Sequence, residues 1–150
     1  MGSLEDEVKQ TRFQSEYQKA GINILLTGSW LYNLNAAHLK KFGITPEQFN
    51  VLRILRGSHP RALMLVDISS RMIDKNSNCT RLVEKLRQKG LVSREICETN
   101  RRQVDIGITD KGLALLKKID AEGTAWIETM KNITKTEALE LNRILDKLRG

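Results

Sequence analysis

The chain has 150 residues, 40% hydrophobic and 29% charged, with a net charge of +7. This suits a single domain with a modest core, and no apolar run approaches the ~20 residues that span a bilayer, so no membrane partner is expected. Residues 61–102 carry ten of the cations against five anions, which leaves five of the seven net positive charges in the middle of the chain and points to one face that binds a polyanion.

Met1 to Glu7 are acidic with no apolar stretch behind them, so no secretory leader is expected, and Asp6 stands where a myristoylation motif needs Ser or Thr. From Glu7 to Phe42 the pattern is helical and unusually apolar, through Ile22, Leu25, Leu26, Trp30, Leu31, Leu34 and Leu39. Gly21 and Gly28 are seven apart on one face, where missing side chains would admit the backbone of another helix. Gly43 and Ile44 end this helix. Thr45, Pro46 and Gln48 then spell an N-cap, a proline at the first helical position and a residue that can reach back to the cap. Phe49, Val51, Leu52, Ile54 and Leu55 follow at helical spacing as far as Gly57.

A loop over 58–64 leads to a short helix from Leu65 to Ile73, with Leu65, Ile68 and Met72 inward. The pattern breaks at 74–78, where Asp74 or Asn76 can cap the next helix. That helix runs from Ser77 to Lys89 on the apolar stripe Cys79, Leu82, Val83 and Leu86, closed by Gly90. Two alternating runs, Val92/Arg94/Ile96 and Val104/Ile106/Ile108, read as a hairpin whose polar tip holds Asn100, Arg101 and Arg102. Thr109 and Asp110 open a long helix carrying Leu113, Leu116, Ile119, Trp126, Ile127 and Met130. A last helix after Thr134 carries Ala138, Leu141, Ile144, Leu145 and Leu148.

The fold class expected is therefore mainly α with a small two- or three-stranded β wing: a winged helix-turn-helix core flanked by N- and C-terminal dimerisation helices. Residues 1–150 form one domain, with the winged core at 44–110 and the dimerisation helices at 7–42 and 111–149. The outer helices have more apolar surface than a small core can cover, and a homodimer is the expected remedy.

The face of the 77–89 helix opposite its stripe shows Ser77, Asn78, Thr80, Arg81, Glu84 and Lys85. Short polar side chains near a helix N-terminus can reach base edges in a major groove, and Arg can grip guanine with two hydrogen bonds. A ribbon tip bearing arginines suits the negative potential of a narrow minor groove. Asn76, Ser77, Asn78, Thr80, Arg81 and Lys85 are thus the candidate recognition-helix residues, and Asn100, Arg101 and Arg102 the candidate wing residues.

The segment Asn78 to Leu116, with Thr80-Arg81-Leu82-Val83, Leu86, Lys89-Gly90-Leu91-Val92, Arg102, Ile108-Thr109 and Gly112, resembles the MarR family of winged-helix transcriptional regulators. The flanking helices fit the same order. The resemblance implies a dimer with interlocked terminal helices, a recognition helix in each major groove and a wing in each adjacent minor groove. It also implies repression as the default sign of control and a small aromatic effector bound between the dimer helices and the core, where Trp30, Tyr32, His38 and Phe49 are the candidate lining. The family's wing aspartate is Asn100 here, so a charge-assisted brace on the neighbouring arginine is absent, and Arg102 is the residue expected to be braced.

His38, His59, Cys79 and Cys97 lack the close pair spacings of a zinc site, so no metal or other cofactor is expected. No nucleophile elbow or phosphate-binding glycine loop is present, so an enzyme is not expected. The two cysteines form no disulfide framework, which fits a cytoplasmic, reducing compartment; Cys79 sits on the core stripe and Cys97 beside the wing, where its reactivity stays open. The function read from this is a dimeric, sequence-specific DNA-binding regulator on a pseudo-palindromic operator. The alternatives are a winged-helix protein-interaction module and a nonspecific DNA-binding protein.

Overall fold

The computed structural model describes residues 2–123 and 125–150. Its elements run α1 (Leu4–Val8), α2 (Glu16–Lys40), α3 (Pro46–Ser58), α4 (Leu65–Arg71), α5 (Cys79–Gln88), β1 (Val92–Ile96), β2 (Val104–Ile108), α6 (Asp110–Ala121), α7 (Ala125–Met130) and α8 (Lys135–Arg149).

Two expected helices are each broken. The first is not continuous from Glu7 to Phe42: Lys9 turns left-handed at φ 53°, ending α1, and α2 starts afresh where Ser15 accepts a hydrogen bond from the Gln18 N–H at 3.1 Å. The long helix opened by Thr109 stops at Ala121, because Gly123 takes φ +74°, and the apolar residues Trp126, Ile127 and Met130 belong to the separate α7. A glycine in that conformation terminates a helix at little steric cost, and the apolar period carries on past it without revealing the break.

Elsewhere local signals and structure agree. The Gln48 N–H donates to Thr45 Oγ1 at 3.2 Å while the Thr45 N–H donates to Gln48 Oε1 at 3.0 Å, a reciprocal capping box with Pro46 at the first helical position. Gln48 is buried, and its side-chain oxygen is taken up by this exchange. The wing is two antiparallel strands in the register Val92↔Ile108, Arg94↔Ile106 and Ile96↔Val104. A third partner contributes a single bridge: Leu63 and Ile106 exchange both backbone hydrogen bonds at 2.8 Å.

The core lies within the winged lobe. Leu39 from α2, Val51, Leu52 and Leu55 from α3, Ile68 and Met72 around α4, Val83 and Leu86 from α5, Ile106 from β2, and Leu116 and Ile119 from α6 are essentially inaccessible. One close approach holds β1, β2 and α6 together. A Cβ at Gly112 would lie 2.4 Å from the Leu91 carbonyl oxygen and 2.7 Å from Ile108 Cγ1, so the residue must be glycine for α6 to seat on the hairpin. Arg56 pairs with Asp120 at 2.6 Å and Lys41 with Glu122 at 2.8 Å, linking α3 and the end of α2 to α6.

The outer helices are different. Leu39 is the only buried residue of α2, and α8 has none, leaving Leu139, Leu141, Ile144 and Leu148 exposed. Within the chain nothing lies within 4 Å of a Cβ built at Gly21 or Gly28, so the close approach expected there does not occur inside one protomer.

Candidate nucleic-acid interface

The turn before α5 is built around two short polar side chains, Asp74 and Asn78. Asp74 Oδ1 accepts from the Asn76 N–H at 2.9 Å, and the Asp74 carbonyl accepts from the Ser77 N–H at 3.2 Å. Neither Asp74 nor Asn76 caps α5. Asn78 does, its Oδ1 accepting from the Arg81 N–H at 3.1 Å, so the helix starts at Cys79 rather than Ser77. The expected caps are Asp74 and Asn76, and Asn78, which lies nearer the apolar stripe, takes the role instead.

The far end of α5 closes in a Schellman arrangement: the Gly90 N–H donates to the Arg87 carbonyl at 2.9 Å and the Leu91 N–H to the Leu86 carbonyl at 3.0 Å, with Gly90 at φ 73°. Thr109 Oγ1 then donates to the Gly90 carbonyl at 2.7 Å, and Lys111 Nζ to the Lys89 carbonyl at 2.8 Å, while Lys89 Nζ reaches the Gly43 carbonyl. The C-terminal end of the helix is therefore fixed to the end of α2 and the start of α6.

With Cys79, Val83 and Leu86 buried, Asn76, Asn78, Thr80, Arg81 and Lys85 are exposed. Ser77 is not on the open face as expected: it is half-buried, with its Oγ enclosed and without a hydrogen-bond partner. Glu84, the one acid on this helix, is gripped by Arg87 through two hydrogen bonds of 2.6 and 3.0 Å, which holds its carboxyl below the usual carboxylate range.

The wing tip is a compact turn. The Cys97 N–H donates to the Gln103 carbonyl at 2.9 Å, and the Gln103 N–H to the Asn100 carbonyl at 2.9 Å. Asn100 Oδ1 accepts from the Arg102 backbone N–H at 3.1 Å. The brace on Arg102 is thus to its backbone, a job an amide oxygen does without a carboxylate, and the Asn100 departure leaves the tip closed. Arg101 and Arg102 are both exposed, and among the described residues neither pairs with Glu98. Cys97 Sγ lies 3.2 Å from Thr99 Oγ1; that hydrogen bond, with help from nearby backbone N–H groups, lowers the thiol's pKa.

Between α4, α5 and the wing runs a cleft of about 280 Å³ lined by Met64, Val66, Val83, Ile106, Thr80, Glu84, Arg94 and Arg102. It brings the recognition-helix residue Thr80 and the wing residue Arg102 to one place. Arg94 joins them, though its alternation with Val92 and Ile96 read as a core-facing strand position. The available signal was a cation on an otherwise apolar strand face.

The four candidate pocket residues are dispersed. Phe49 is buried in the core under the Arg53 guanidinium, His38 meets Phe42 edge-on with ring centroids 5.8 Å apart, and Trp30 is half-buried on α2. Tyr32 alone of the four lines an open cavity of about 670 Å³ between α2, α3 and the end of α5, together with Ala36, Ile44, Pro46, Lys40, Lys85 and Lys89. The Tyr32 hydroxyl donates to Glu47 at 2.6 Å; this bond, with partial burial and the charge of Asp74, pushes its pKa up to about 12. No group of three or more His, Cys, Asp or Glu that could hold a metal occurs among the described residues.

A helix pair, a capped second helix and a cation-tipped two-stranded wing define a winged helix-turn-helix. Residues 44–104 match the model of the MarR family. The HTH-type transcriptional regulator MhqR of Bacillus subtilis (strain 168) is 33% identical over 106 residues, covering 69% of this chain and 70% of that protein. The HTH-type transcriptional repressor MdtR of the same organism is 32% identical over 111 residues, covering 73% and 70%. A crystal structure of a MarR mutant from E. coli complexed with operator DNA superposes with a TM-score of 0.78 at 23% identity, covering 98% of this chain and 99% of that one. The chain belongs to the MarR family, whose members are transcription regulators and not enzymes. No helix among the described residues is long and apolar enough to cross a membrane.

Proposed function

We propose that this chain is a homodimeric, sequence-specific DNA-binding repressor acting on a pseudo-palindromic operator in the cytoplasm. One observation carries the reading. Among the described residues Arg81, Lys85, Arg94, Arg101 and Arg102 make no ion pair, whereas Arg87, Lys131, Arg143 and Arg149, on helix faces elsewhere, are each neutralised by a carboxylate at 2.5–2.8 Å. Cations kept free on one face are cations available to phosphates.

Residues 44–110 form the reading head in this proposal, with Asn76, Asn78, Thr80, Arg81 and Lys85 at the major groove, Ser77 being turned inward, and Asn100, Arg101 and Arg102 at the minor groove. Asn78 has its Oδ1 committed to the helix cap and offers its amide N–H₂; Arg94 is added on the backbone between the grooves. Residues 7–42 and 111–149 form the dimer arms. Support for the dimer comes from the uncovered α8 leucines and from the open ground beside Gly21 and Gly28. Two-fold symmetry would place half-sites about one helical turn apart. A small aromatic anion is the effector we propose, held where Tyr32 and three lysines line the 670 Å³ cavity. MdtR's designation as a repressor supports the sign of control.

The test is fluorescence anisotropy on the duplex upstream of the chain's own coding sequence against a scrambled duplex, over ~50–200 mM salt. A preference of ~10³ or more with a steep salt dependence is expected. A steep slope without preference would mean nonspecific coating, and no binding at low salt would turn the search to an acidic protein partner.

A further inference from the structure

We infer that the Tyr32 hydroxyl and the Glu47 carboxylate form a positioning tie between the α2 arm and the winged lobe, one that sets the separation of the two recognition helices in a dimer. The inference rests on the operator-binding reading above and adds a residue pair that touches no DNA.

The tie is a directional bond between elements that otherwise meet through partly buried side chains. Over its 25 residues α2 fully buries only Leu39, close to its C-terminal end, while Trp30, Leu31 and Leu34 in the middle of the arm are half-buried. Tyr32 lies two turns before Leu39 and crosses to the first turn of α3 with an O···O distance of 2.6 Å, in the short range of charge-assisted bonds. The residue is 46% exposed, so burial alone does not explain it; its hydroxyl is engaged by Glu47.

The receiving end is rigid. Glu47 follows Pro46 inside the capping box of Thr45 and Gln48, and a carboxylate in the first turn is favoured by the helix dipole. The hydroxyl also feels the charge of Asp74, the residue whose carboxylate and carbonyl shape the turn leading into α5. Arm and first helix of the reading head therefore meet at this bond, and the turn entering the recognition helix lies within its electrostatic reach. A dimer that must match half-sites a fixed distance apart needs the arm angle specified, and a hydrogen bond, being directional, specifies it more narrowly than half-buried apolar contact.

The full-length chain tests this as Tyr32→Phe, Glu47→Gln and Glu47→Ala. Anisotropy is read on operator duplexes whose half-site spacing is native, one base pair shorter or one longer. The wild type is expected to prefer the native spacing by about tenfold or more, worth about 1.4 kcal/mol per factor of ten. Tyr32→Phe and Glu47→Ala should bring that preference within about threefold while leaving the salt slope, and hence the phosphate count, unchanged. Glu47→Gln keeps an acceptor oxygen and should retain most of the preference. Spacing preference in Tyr32→Phe equal to wild type overturns the tie.

A second readout needs no DNA. Spin labels at the half-buried native Cys97 on the wing and at a Tyr17→Cys site on α2 report the arm-to-wing distance. The distribution should be narrow in the wild type and in Glu47→Gln and broad in Tyr32→Phe. Identical distributions overturn the tie even if operator binding holds. A wild type without operator preference overturns the DNA reading, and the distance distributions then decide the tie alone.

Discussion

Replacing Gly112 with alanine sets two effects of opposite sign against each other. In a helix interior the change normally stabilises by about 0.5–1 kcal/mol, because glycine loses more backbone entropy on folding. Gly112 is the third residue of α6 and its φ is not in the left-handed region, so nothing in its own conformation forbids a side chain. The new Cβ, however, would stand 2.4 Å from the Leu91 carbonyl oxygen and 2.7 Å from Ile108 Cγ1. An ordinary C···O contact is about 3.3 Å, so helix and loop would have to separate by roughly 1 Å. Neither neighbour is free to give way. The Leu91 carbonyl accepts the Thr109 N–H at 3.1 Å, and Leu91 and Ile108 are both buried.

Overpacking of this kind costs about 1–3 kcal/mol, and a clash with backbone belongs at the upper end. Less the helix gain, the net loss is about 2 kcal/mol, or about 4–8 °C in Tm for a chain of this length. Circular-dichroism melts at one fixed protomer concentration measure it, since the melting of a dimer depends on concentration. A Tm equal to or above wild type would refute the reasoning, because it would mean that α6 can move off the hairpin at no cost.

Gly28→Ala asks about the other glycine face. With open space around it in one protomer, alanine would stabilise an isolated chain by up to about 1 kcal/mol; weakened dimerisation in analytical ultracentrifugation is expected instead if a second backbone lies there, and a tighter dimer would remove that face from the interface. Arg102→Ala should weaken operator and scrambled duplex alike and reduce the salt slope by about 0.9, whereas Arg81→Ala should cost about 1–3 kcal/mol of operator preference; an unchanged slope in the first variant would take Arg102 off the phosphates. Asn78→Ala removes the α5 cap and should cost about 1 kcal/mol in urea unfolding, with no loss if Asp74 or Asn76 can take over. In a Tyr17→Phe background Tyr32 is the only tyrosine. Its near-ultraviolet titration should centre near the raised value of about 12 and fall when Glu47 becomes alanine. Because the folded-state pKa is raised, the stabilisation from this bond is complete below about pH 10 and disappears as pH climbs through the folded value; a midpoint near 10 in the parent would deny the bond.

Features carried by a few adjacent residues were legible in the sequence. The Thr45–Gln48 box, the Gly90 stop and the stripe of Cys79, Val83 and Leu86 each depend on contacts within one or two turns. The breaks at Lys9 to Ser15 and at Gly123 were hidden, because apolar periodicity reports which face is buried and not whether the backbone is continuous. The cap of α5 was misplaced since Asp74, Asn76 and Asn78 all have a suitable oxygen, and only the seating of Cys79 in the core selects among them. Phe49 could not be told from a pocket residue, because an aromatic at helical spacing fits a core and a ligand site equally well.

The proposed DNA face was more legible than a count of charges suggests. Among the described residues, the ion pairs three residues apart all join an acid to a later cation: Glu84 to Arg87, Glu128 to Lys131, Glu140 to Arg143 and Asp146 to Arg149. The acid-first order is the one the helix dipole favours. Glu84 has an arginine three residues away on both sides, and it pairs with Arg87 rather than Arg81. Arg81 is thereby left unpaired in the first turn of α5, at the end nearest the wing arginines. Removing Arg87 in this way leaves nine of the ten central cations without an ion pair among the described residues, and Arg81, Lys85, Arg94, Arg101 and Arg102 are the five of them on α5 and the wing.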